Sequence, residues 1–314
     1  MRWSRNAKPS CSRTSKTMPD AAPDFIGHPL SAVRRTLQTL LNAARIDDPP
    51  REARLLLEVA TGLTAELLLR DAARLLRDDE AKRLSEALRR RLAHEPLSRI
   101  KGERGFYGRT FAVSPAVLDP RPETETLIDL VLQWVDETGG RQRPLSIIDV
   151  GTGSGCILIT LLAELTHATG LATDLSPDAI AIARANAARH GVAERIAFTQ
   201  ARSLEGVDGL ADILVSNPPY IPSADIAALD PGVRDYDPLL ALDGGPDGLT
   251  VYRDIAARVG AVVPSGLIAV EVGTGQAADV AQILTNSVEN RAGLPWTRKD
   301  LGGHVRTVAM LTQR

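Results

Sequence analysis

The stretch LSIIDVGTGSGCILITLLAEL, residues 145–165, decides the fold of this 314-residue chain. Its first part, 145–150, is mostly apolar, as a buried strand is. Glycines at three alternate positions follow, and 156–165 is apolar enough to be a buried helix. A strand, a tight turn and a helix in direct succession predict the start of a βαβ unit. A parallel sheet with helices packed on its faces is therefore expected.

The same alternation continues towards the C-terminus, and the tail at 295–312 is expected to hold two more strands. The other predicted strands are 170–173, 195–199, 212–215 and 267–272, and the predicted helices are 177–190, 249–262 and 277–284. The fold class is therefore α/β, with a Rossmann-like seven-stranded sheet in a domain that spans 120–314. The loop 221–247 is long for a compact domain, and such loops are usually functional.

Residues 25–95 are predicted to form a small helical-bundle domain, because apolar residues recur there at helical spacing in four segments. The residues expected to break or cap these helices are Pro49, Pro50, Gly62, Thr64 and Asp78 or Asp79. Between the bundle and the sheet domain, 96–119 contains regularly spaced glycines and aromatic residues. This segment is predicted to be a hairpin linker.

Residues 1–24 form a basic tail that is expected to be disordered. Five arginines and lysines precede its first acid, Asp20, and serines and threonines fill the gaps. The same composition fits an organellar transit peptide. A third interpretation is an upstream start codon, with Met18 as the true start.

The composition excludes several classes of protein. A net charge of −2 and a pI near 6.2 argue against an affinity that depends mainly on neutralising phosphates. The two cysteines and five histidines are scattered, so neither a disulfide framework nor a metal site is expected. No apolar run reaches the ~18 residues of a membrane span. A reducing, cytoplasmic location fits this cysteine content best.

The segment Ser216-Asn217-Pro218-Pro219-Tyr220 follows the fourth predicted strand of the sheet. Its prolines remove two backbone donors and hold Asn217 extended, so a stiff corner is expected at the edge where α/β sheets bind ligands. The Asn217 side-chain carbonyl and the Pro218 backbone carbonyl could accept both N–H groups of a planar amide, and Tyr220 could pack on its face. A proline-rich turn without function is the plain alternative.

The glycine loop after the first strand of the sheet is predicted to bind a cofactor. Its G-x-G-x-G spacing differs from the dinucleotide pattern, but glycines allow close approach of the backbone to a ligand. Asp174, at the end of the second strand, suits the hydroxyls of a ribose. Asp149 would repel a pyrophosphate but suits the ammonium of a methionine. S-adenosylmethionine combines a ribose with that ammonium.

These features resemble the class I methyltransferases that act on planar nitrogen. More narrowly, residues 28–312 resemble the HemK/PrmC-type protein-(glutamine-N5) methyltransferases. The stretches that carry the narrower resemblance are Pro120-Arg121-Pro122-Glu123-Thr124-Glu125, Asp247-Gly248-Leu249, Glu271-Val272-Gly273 and Asp300-Leu301-Gly302-Gly303-His304-Val305-Arg306. The resemblance implies a class I methyltransferase fold and methylation of the glutamine in the Gly-Gly-Gln motif of peptide chain release factors.

Specific roles are expected from the residues and the resemblance together. Asn217, Pro218 and Tyr220 are expected to be catalytic, and the substrate is expected to contact Asn217, Pro218, Pro219 and Tyr220. The residues expected to bind S-adenosylmethionine are Asp149, Gly151, Thr152, Gly153, Ser154, Gly155, Asp174 and Asn217. The helical domain would dock the release factor, and nucleic acid is not expected as a direct substrate.

The chain departs from the family pattern at two places. The segment 200–203 lacks the acid and the aromatic that often border the adenine, and Ser98-Arg99 replaces a polar residue followed by an aromatic. Other functions stay open at this point. They are glutamine methylation of a ribosomal protein, adenine-N6 methylation of nucleic acid, NAD-dependent oxidoreduction, and a binding module without catalysis.

Overall fold

A computed structural model describes residues 23–288 and 291–313. The prediction of a disordered tail at 1–24 lies outside the described residues, apart from the last two of them. By internal contacts the chain divides into two compact units, Met1–Ala93 and His94–Arg314.

The described part of the first unit contains four helices packed through leucines. Their bounds are α1 Leu30–Ala43, α2 Pro49–Thr61, α3 Ala65–Arg70 and α4 Asp78–Leu92. Gly62 ends α2 in the left-handed conformation, and the Thr64 side chain accepts from the backbone N–H of Leu67 at the start of α3. The prediction that Asp78 or Asp79 caps α4 is wrong. Arg77 occupies the cap position, because the Glu80 carboxylate accepts its backbone N–H.

The second unit begins with a short helix and a hairpin. These elements are α5 Leu97–Lys101, β1 Glu103–Phe106 and β2 Arg109–Ala112. The two strands pair antiparallel, with Glu103 opposite Ala112. A single 3-10 turn, Pro122–Thr124, then leads directly into α6, Glu125–Glu137.

A seven-stranded sheet forms the body of this unit, and its strand order is β5-β4-β3-β6-β7-β9-β8. The strands are β3 Ser146–Val150, β4 Thr169–Asp174, β5 Ile196–Gln200, β6 Ile213–Ser216, β7 Gly266–Glu271, β8 Trp296–Lys299 and β9 Val305–Thr312. The helices are α7 Cys156–Glu164, α8 Pro177–Arg189, α9 Pro231–Arg234, α10 Thr250–Val262 and α11 Ala277–Ser287. Strands β3 to β7 pair in parallel, and β9 pairs antiparallel with both β7 and β8. The prediction of an α/β fold with a seven-stranded sheet is confirmed.

Apolar helices cover both faces of the sheet. Residues of α6, α7 and α8 form one core cluster with Ile147 of β3, whereas α10 and α11 pack against the neighbouring Ile148. Successive residues of a strand point to opposite faces, so a strand that is buried on both sides has to be apolar throughout. That is why the strands were visible in the sequence as continuous apolar runs.

The connections place a crevice between β3 and β6. From β3 the chain moves outward to β4 and β5, and it then returns to the other side of β3 to form β6. At such a switch point the loops after the two strands diverge and leave room for a ligand. The glycine loop and the Asn-Pro-Pro-Tyr corner are the two segments that leave the sheet here.

No helix within 23–288 and 291–313 is both long enough and apolar enough to cross a lipid bilayer.

Candidate active site at the carboxyl edge of the sheet

The glycine loop connects β3 to α7. Gly151, Gly153 and Gly155 have φ of 71°, 56° and 80°, a conformation that L side chains rarely adopt. A Cβ at Gly155 would lie 2.7 Å from Cδ1 of Ile159, so only glycine lets the loop turn this tightly onto the helix. At Gly151 and Gly153 a Cβ would meet nothing within 4 Å. Bare backbone therefore faces open space at these two positions.

Asp174, the last residue of β4, supports this loop through its carboxylate. One oxygen accepts from the backbone N–H of Gly153 at 2.9 Å, and the other accepts from that of Ser176, also at 2.9 Å. Burial raises the pKa of the carboxyl, and these backbone hydrogen bonds oppose that rise. Each carboxylate oxygen has two lone pairs, so the group can still accept hydrogen bonds from a ligand.

Asp149 lies in β3 directly below the loop and is fully buried. Its Oδ2 accepts from the Thr152 hydroxyl at 2.7 Å, while its Oδ1 has no partner among the described residues. Burial raises the pKa of this carboxyl to about 7, and the nearby Asp174 contributes to the rise. A buried, half-satisfied carboxylate is costly to maintain, and a cation above it would offset that cost.

The Asn-Pro-Pro-Tyr corner begins where β6 ends. Ser216 pairs with Val150 in the sheet and donates its hydroxyl to the Val150 carbonyl at 2.7 Å, so the corner starts beside the glycine loop. The Asn217 amide nitrogen donates to the Thr124 hydroxyl at 3.2 Å. The Asn217 side-chain oxygen is buried and has no partner among the described residues. It is therefore an acceptor for which the surrounding protein provides no donor.

Gln276 holds the far end of the corner. Its Nε2 donates to the Tyr220 carbonyl at 2.9 Å, and its Oε1 accepts from the Gly273 N–H at 3.0 Å. The corner is thereby tied to the loop that follows β7. Burial raises the pKa of the Tyr220 phenol to about 12, so the hydroxyl stays neutral at physiological pH.

Two cavities meet at Asn217. The larger has a volume of about 440 Å³ and runs along the glycine loop, while the smaller, of about 220 Å³, lies beside Tyr220. The predicted site residues that line the larger cavity are Gly151, Thr152, Gly153, Ser154, Asp174, Asn217, Pro218 and Pro219. Asp149 and Gly155 do not line it. Tyr220 lines only the smaller cavity, whereas Asn217 lines both.

The smaller cavity is also lined by charged residues for which no individual role was expected. They are Arg121, Glu123, Glu271 and Arg306. All four lie in the stretches that carry the family resemblance, and that resemblance could have identified them as site residues. Glu271 ends β7 and is only 2% exposed, and burial raises the pKa of its carboxyl to about 7.

The structure shows what the residues at both departures from the family pattern contact. Ala201, Arg202 and Ser203 line the larger cavity, and Arg202 forms an ion pair with Asp254 at 3.0 Å. Arg99 is buried and donates to the Asp237 carboxylate at 2.6 Å. Asp237 also accepts from Arg121 at 2.5 Å. Arg99 thus links α5 to the long loop 221–247.

Within 23–288 and 291–313, the side chains of His, Cys, Asp and Glu form no group of three or more that could hold a metal ion.

Two segments of the chain match known domain families, and its fold resembles that of a solved structure. Residues 32–102 match the PrmC N-terminal domain, and residues 129–228 match the methyltransferase small domain. Among solved structures, the hMettl16 catalytic domain in complex with the MAT2A 3'UTR hairpin 6 has a TM-score of 0.50 at 16% identity. The similarity covers 77% of this chain and 85% of that one. At this identity the likeness shows the class I methyltransferase fold alone.

Sequence relatives are much more similar. A release factor glutamine methyltransferase of Bradyrhizobium diazoefficiens is 43% identical over 268 residues, which are 85% of this chain and 90% of the relative. The protein of the same name from Rhodospirillum rubrum is 45% identical over 268 residues, which are 85% of this chain and 80% of the relative. The chain therefore belongs to the release factor glutamine methyltransferase family and is a methyltransferase.

Proposed function

We propose that this protein transfers a methyl group from S-adenosylmethionine to the side-chain amide nitrogen N5 of the glutamine in the Gly-Gly-Gln motif of release factors. The observation that carries the proposal is the Asn217 carbonyl oxygen, which is buried, without a partner, and located where the two cavities meet. An acceptor in that position fits a substrate that brings its own N–H donors. The names of the relatives support glutamine as that substrate.

The larger cavity fits the cofactor. Gly151 and Gly153 present bare backbone, Asp174 offers carboxylate lone pairs for ribose hydroxyls, and the unpartnered Asp149 oxygen places negative charge below the loop for an ammonium group. Thr152 and Ser154 of the loop also line this cavity, Gly155 lets the loop turn tightly onto α7, and Asn217 borders the cavity from the neighbouring corner without being a main determinant of cofactor affinity. S-adenosylmethionine supplies an electrophilic methyl group when it is bound.

The smaller cavity and the corner orient the glutamine. The Asn217 side chain and the Pro218 carbonyl accept the two N–H groups, Tyr220 packs against the amide plane, and Pro219 keeps the corner stiff. The nitrogen then points towards the larger cavity. Orienting two reactants in line can lower a barrier by roughly 7–11 kcal/mol, so no general base is required to explain the reaction. A new N–C bond replaces an S–C bond, and the nitrogen releases one proton.

The remaining segments act on the protein substrate. We assign 25–95 as the domain that docks the release factor, 96–119 as the linker and 120–314 as the methyltransferase domain. Loop 221–247 is anchored by the ion pair of Asp237 with Arg99 and borders both cavities through Ala241. It is therefore in place to cover the glutamine.

Cofactor binding and substrate choice are tested separately. Calorimetric titration with S-adenosylmethionine and with NAD should give binding of the first only. Transfer of label from methyl-labelled cofactor is then compared for a bacterial release factor, ribosomal proteins and adenine-containing DNA. Label on the release factor alone supports the proposal, whereas label on ribosomal protein or DNA alone contradicts it.

A further inference from the structure

Thr124 connects the Asn-Pro-Pro-Tyr corner to the end of β7. The residue lies in the 3-10 turn before α6 and is 2% exposed. Its hydroxyl accepts from the Asn217 amide nitrogen at 3.2 Å. Interaction with the Thr124 side chain also lowers the pKa of the Glu271 carboxyl against the rise caused by burial, and Oε2 of that carboxyl has no hydrogen-bond partner among the described residues. Thr124 and Asn217 line the larger cavity, and Asn217 and Glu271 line the smaller one, so three polar side chains from distant parts of the sequence come together at the junction of the two cavities.

The donor and acceptor properties of Glu271, Thr124 and Asn217 determine which group donates each hydrogen bond. An ionised carboxylate only accepts hydrogen bonds, and a hydroxyl has a single proton to donate. If Thr124 donates its proton to the ionised Glu271 carboxylate, it has only lone pairs left for Asn217. The Asn217 side chain then turns its NH2 group to Thr124 and its carbonyl away from it. This is the arrangement observed, with the carbonyl oxygen left unpartnered.

We propose that Thr124 and Glu271 are positioning residues that fix the orientation of the Asn217 amide, so that its carbonyl rather than its NH2 group meets the amide of the substrate. This inference rests on the proposed function. If the Asn217 amide were reversed, its NH2 group would face the NH2 group of the glutamine, and two donors would oppose each other without an acceptor. Neither Thr124 nor Glu271 would need to touch the substrate to have this effect.

The orientation of the Asn217 amide should depend on pH through the ionisation of Glu271. Arg306 and Arg121 favour the ionised carboxylate, Glu123 opposes it, and burial raises the pKa to about 7. The other ionisable groups that interact with it are Tyr220, Tyr252 and Cys156. Once protonated, Glu271 can donate to Thr124, and the hydroxyl proton is free to turn towards Asn217. Turnover should therefore be lost as the pH falls through the pKa of Glu271.

Thr124→Val and Thr124→Ser form a matched pair of variants. Valine has the shape of threonine without the hydroxyl, whereas serine keeps the hydroxyl. At saturating cofactor, Thr124→Val should lower kcat for release factor methylation on the order of tenfold, because it leaves the Asn217 NH2 group unpaired. Thr124→Ser should restore most of that loss. The affinity for S-adenosylmethionine, measured by calorimetry, should be unchanged in both variants.

Glu271→Gln provides a second measurement that does not depend on Thr124→Val being stable. The wild-type kcat should fall on the acid side of about pH 7, and Glu271→Gln should remove this acid limb and lower kcat above it. Equal kcat in the valine and serine variants would overturn the proposal, as would an acid limb that persists in Glu271→Gln. An inactive wild type in the same assay would instead refute the proposed function, so the two failures can be distinguished.

Discussion

Replacing Asp174 by alanine tests the cofactor site most selectively. The substitution removes two backbone hydrogen bonds: one carboxylate oxygen accepts from the Gly153 N–H of the glycine loop at 2.9 Å, and the other accepts from the N–H of Ser176, the cap of α8, also at 2.9 Å. It also removes the proposed acceptor of the ribose hydroxyls. Two effects are therefore expected, one on the stability of the fold and one on the affinity for the cofactor.

The two effects differ in size. Hydrogen bonds to a charged group contribute about 1.5–3 kcal/mol, so the dissociation constant for S-adenosylmethionine should rise roughly 10- to 150-fold. The loss of stability should be smaller, about 1–2 kcal/mol, because the substitution also removes a carboxylate whose pKa is raised by burial.

Calorimetry gives the affinity, and urea unfolding gives the stability. Asp178→Ala is the matched control, since Asp178 is an exposed carboxylate that lines the same cavity in the first turn of α8. The control should bind the cofactor within about threefold of wild type. A folded Asp174→Ala variant with wild-type affinity for S-adenosylmethionine would show that Asp174 supports the loop without binding the ribose.

Three further predictions concern the corner, the buried acid and the sheet. Asn217→Ala should reduce single-turnover methylation on the order of 10²-fold, because the amide loses an acceptor that positions it, with little change in calorimetric cofactor affinity; a comparable loss of affinity would contradict the role. The pKa of Asp149 rises from 3.8 to about 7 in the folded protein, so its contribution to stability should be lost as the pH rises through that interval. Asp149→Asn should flatten the dependence of the unfolding free energy on pH over this interval. An unaltered pH dependence would contradict the raised pKa of Asp149. In Gly266→Ala a Cβ would lie 2.1 Å from the Asp212 carbonyl oxygen, so about 1–3 kcal/mol of stability should be lost, whereas Gly209→Ala, with nothing within 4 Å, should melt like wild type.

Local patterns in the sequence predicted most of the elements of the sheet. Strand β3 and helix α7 were visible because a layer that is buried on both sides requires apolar residues throughout, and glycine is needed at the tight turn between them. Thr64 was predictable as a cap for the same kind of local reason. The short helix α5 was missed, and the start of α4 was misplaced because Glu80 rather than Asp78 satisfies the first backbone donors.

Contacts between distant segments could not be predicted in this way. Arg99 was treated as a departure from the family, yet it pairs with Asp237, which lies 138 residues further along the chain. Thr124 appeared in the sequence as part of a stretch that carries the family resemblance, and its contact with Asn217 spans 93 residues. Periodicity and caps report local geometry, whereas these pairs depend on how the loops after separate strands converge at one edge.

Tandem mass spectrometry of a bacterial release factor, after incubation with this protein and S-adenosylmethionine, tests the proposed reaction itself. We expect a mass gain of about 14 Da, one CH2 unit, on the glutamine of the Gly-Gly-Gln motif. The gain should be nearly absent when Asn217→Ala replaces the wild type. A release factor of unchanged mass, or a methyl group located on any other residue, would contradict the proposed reaction.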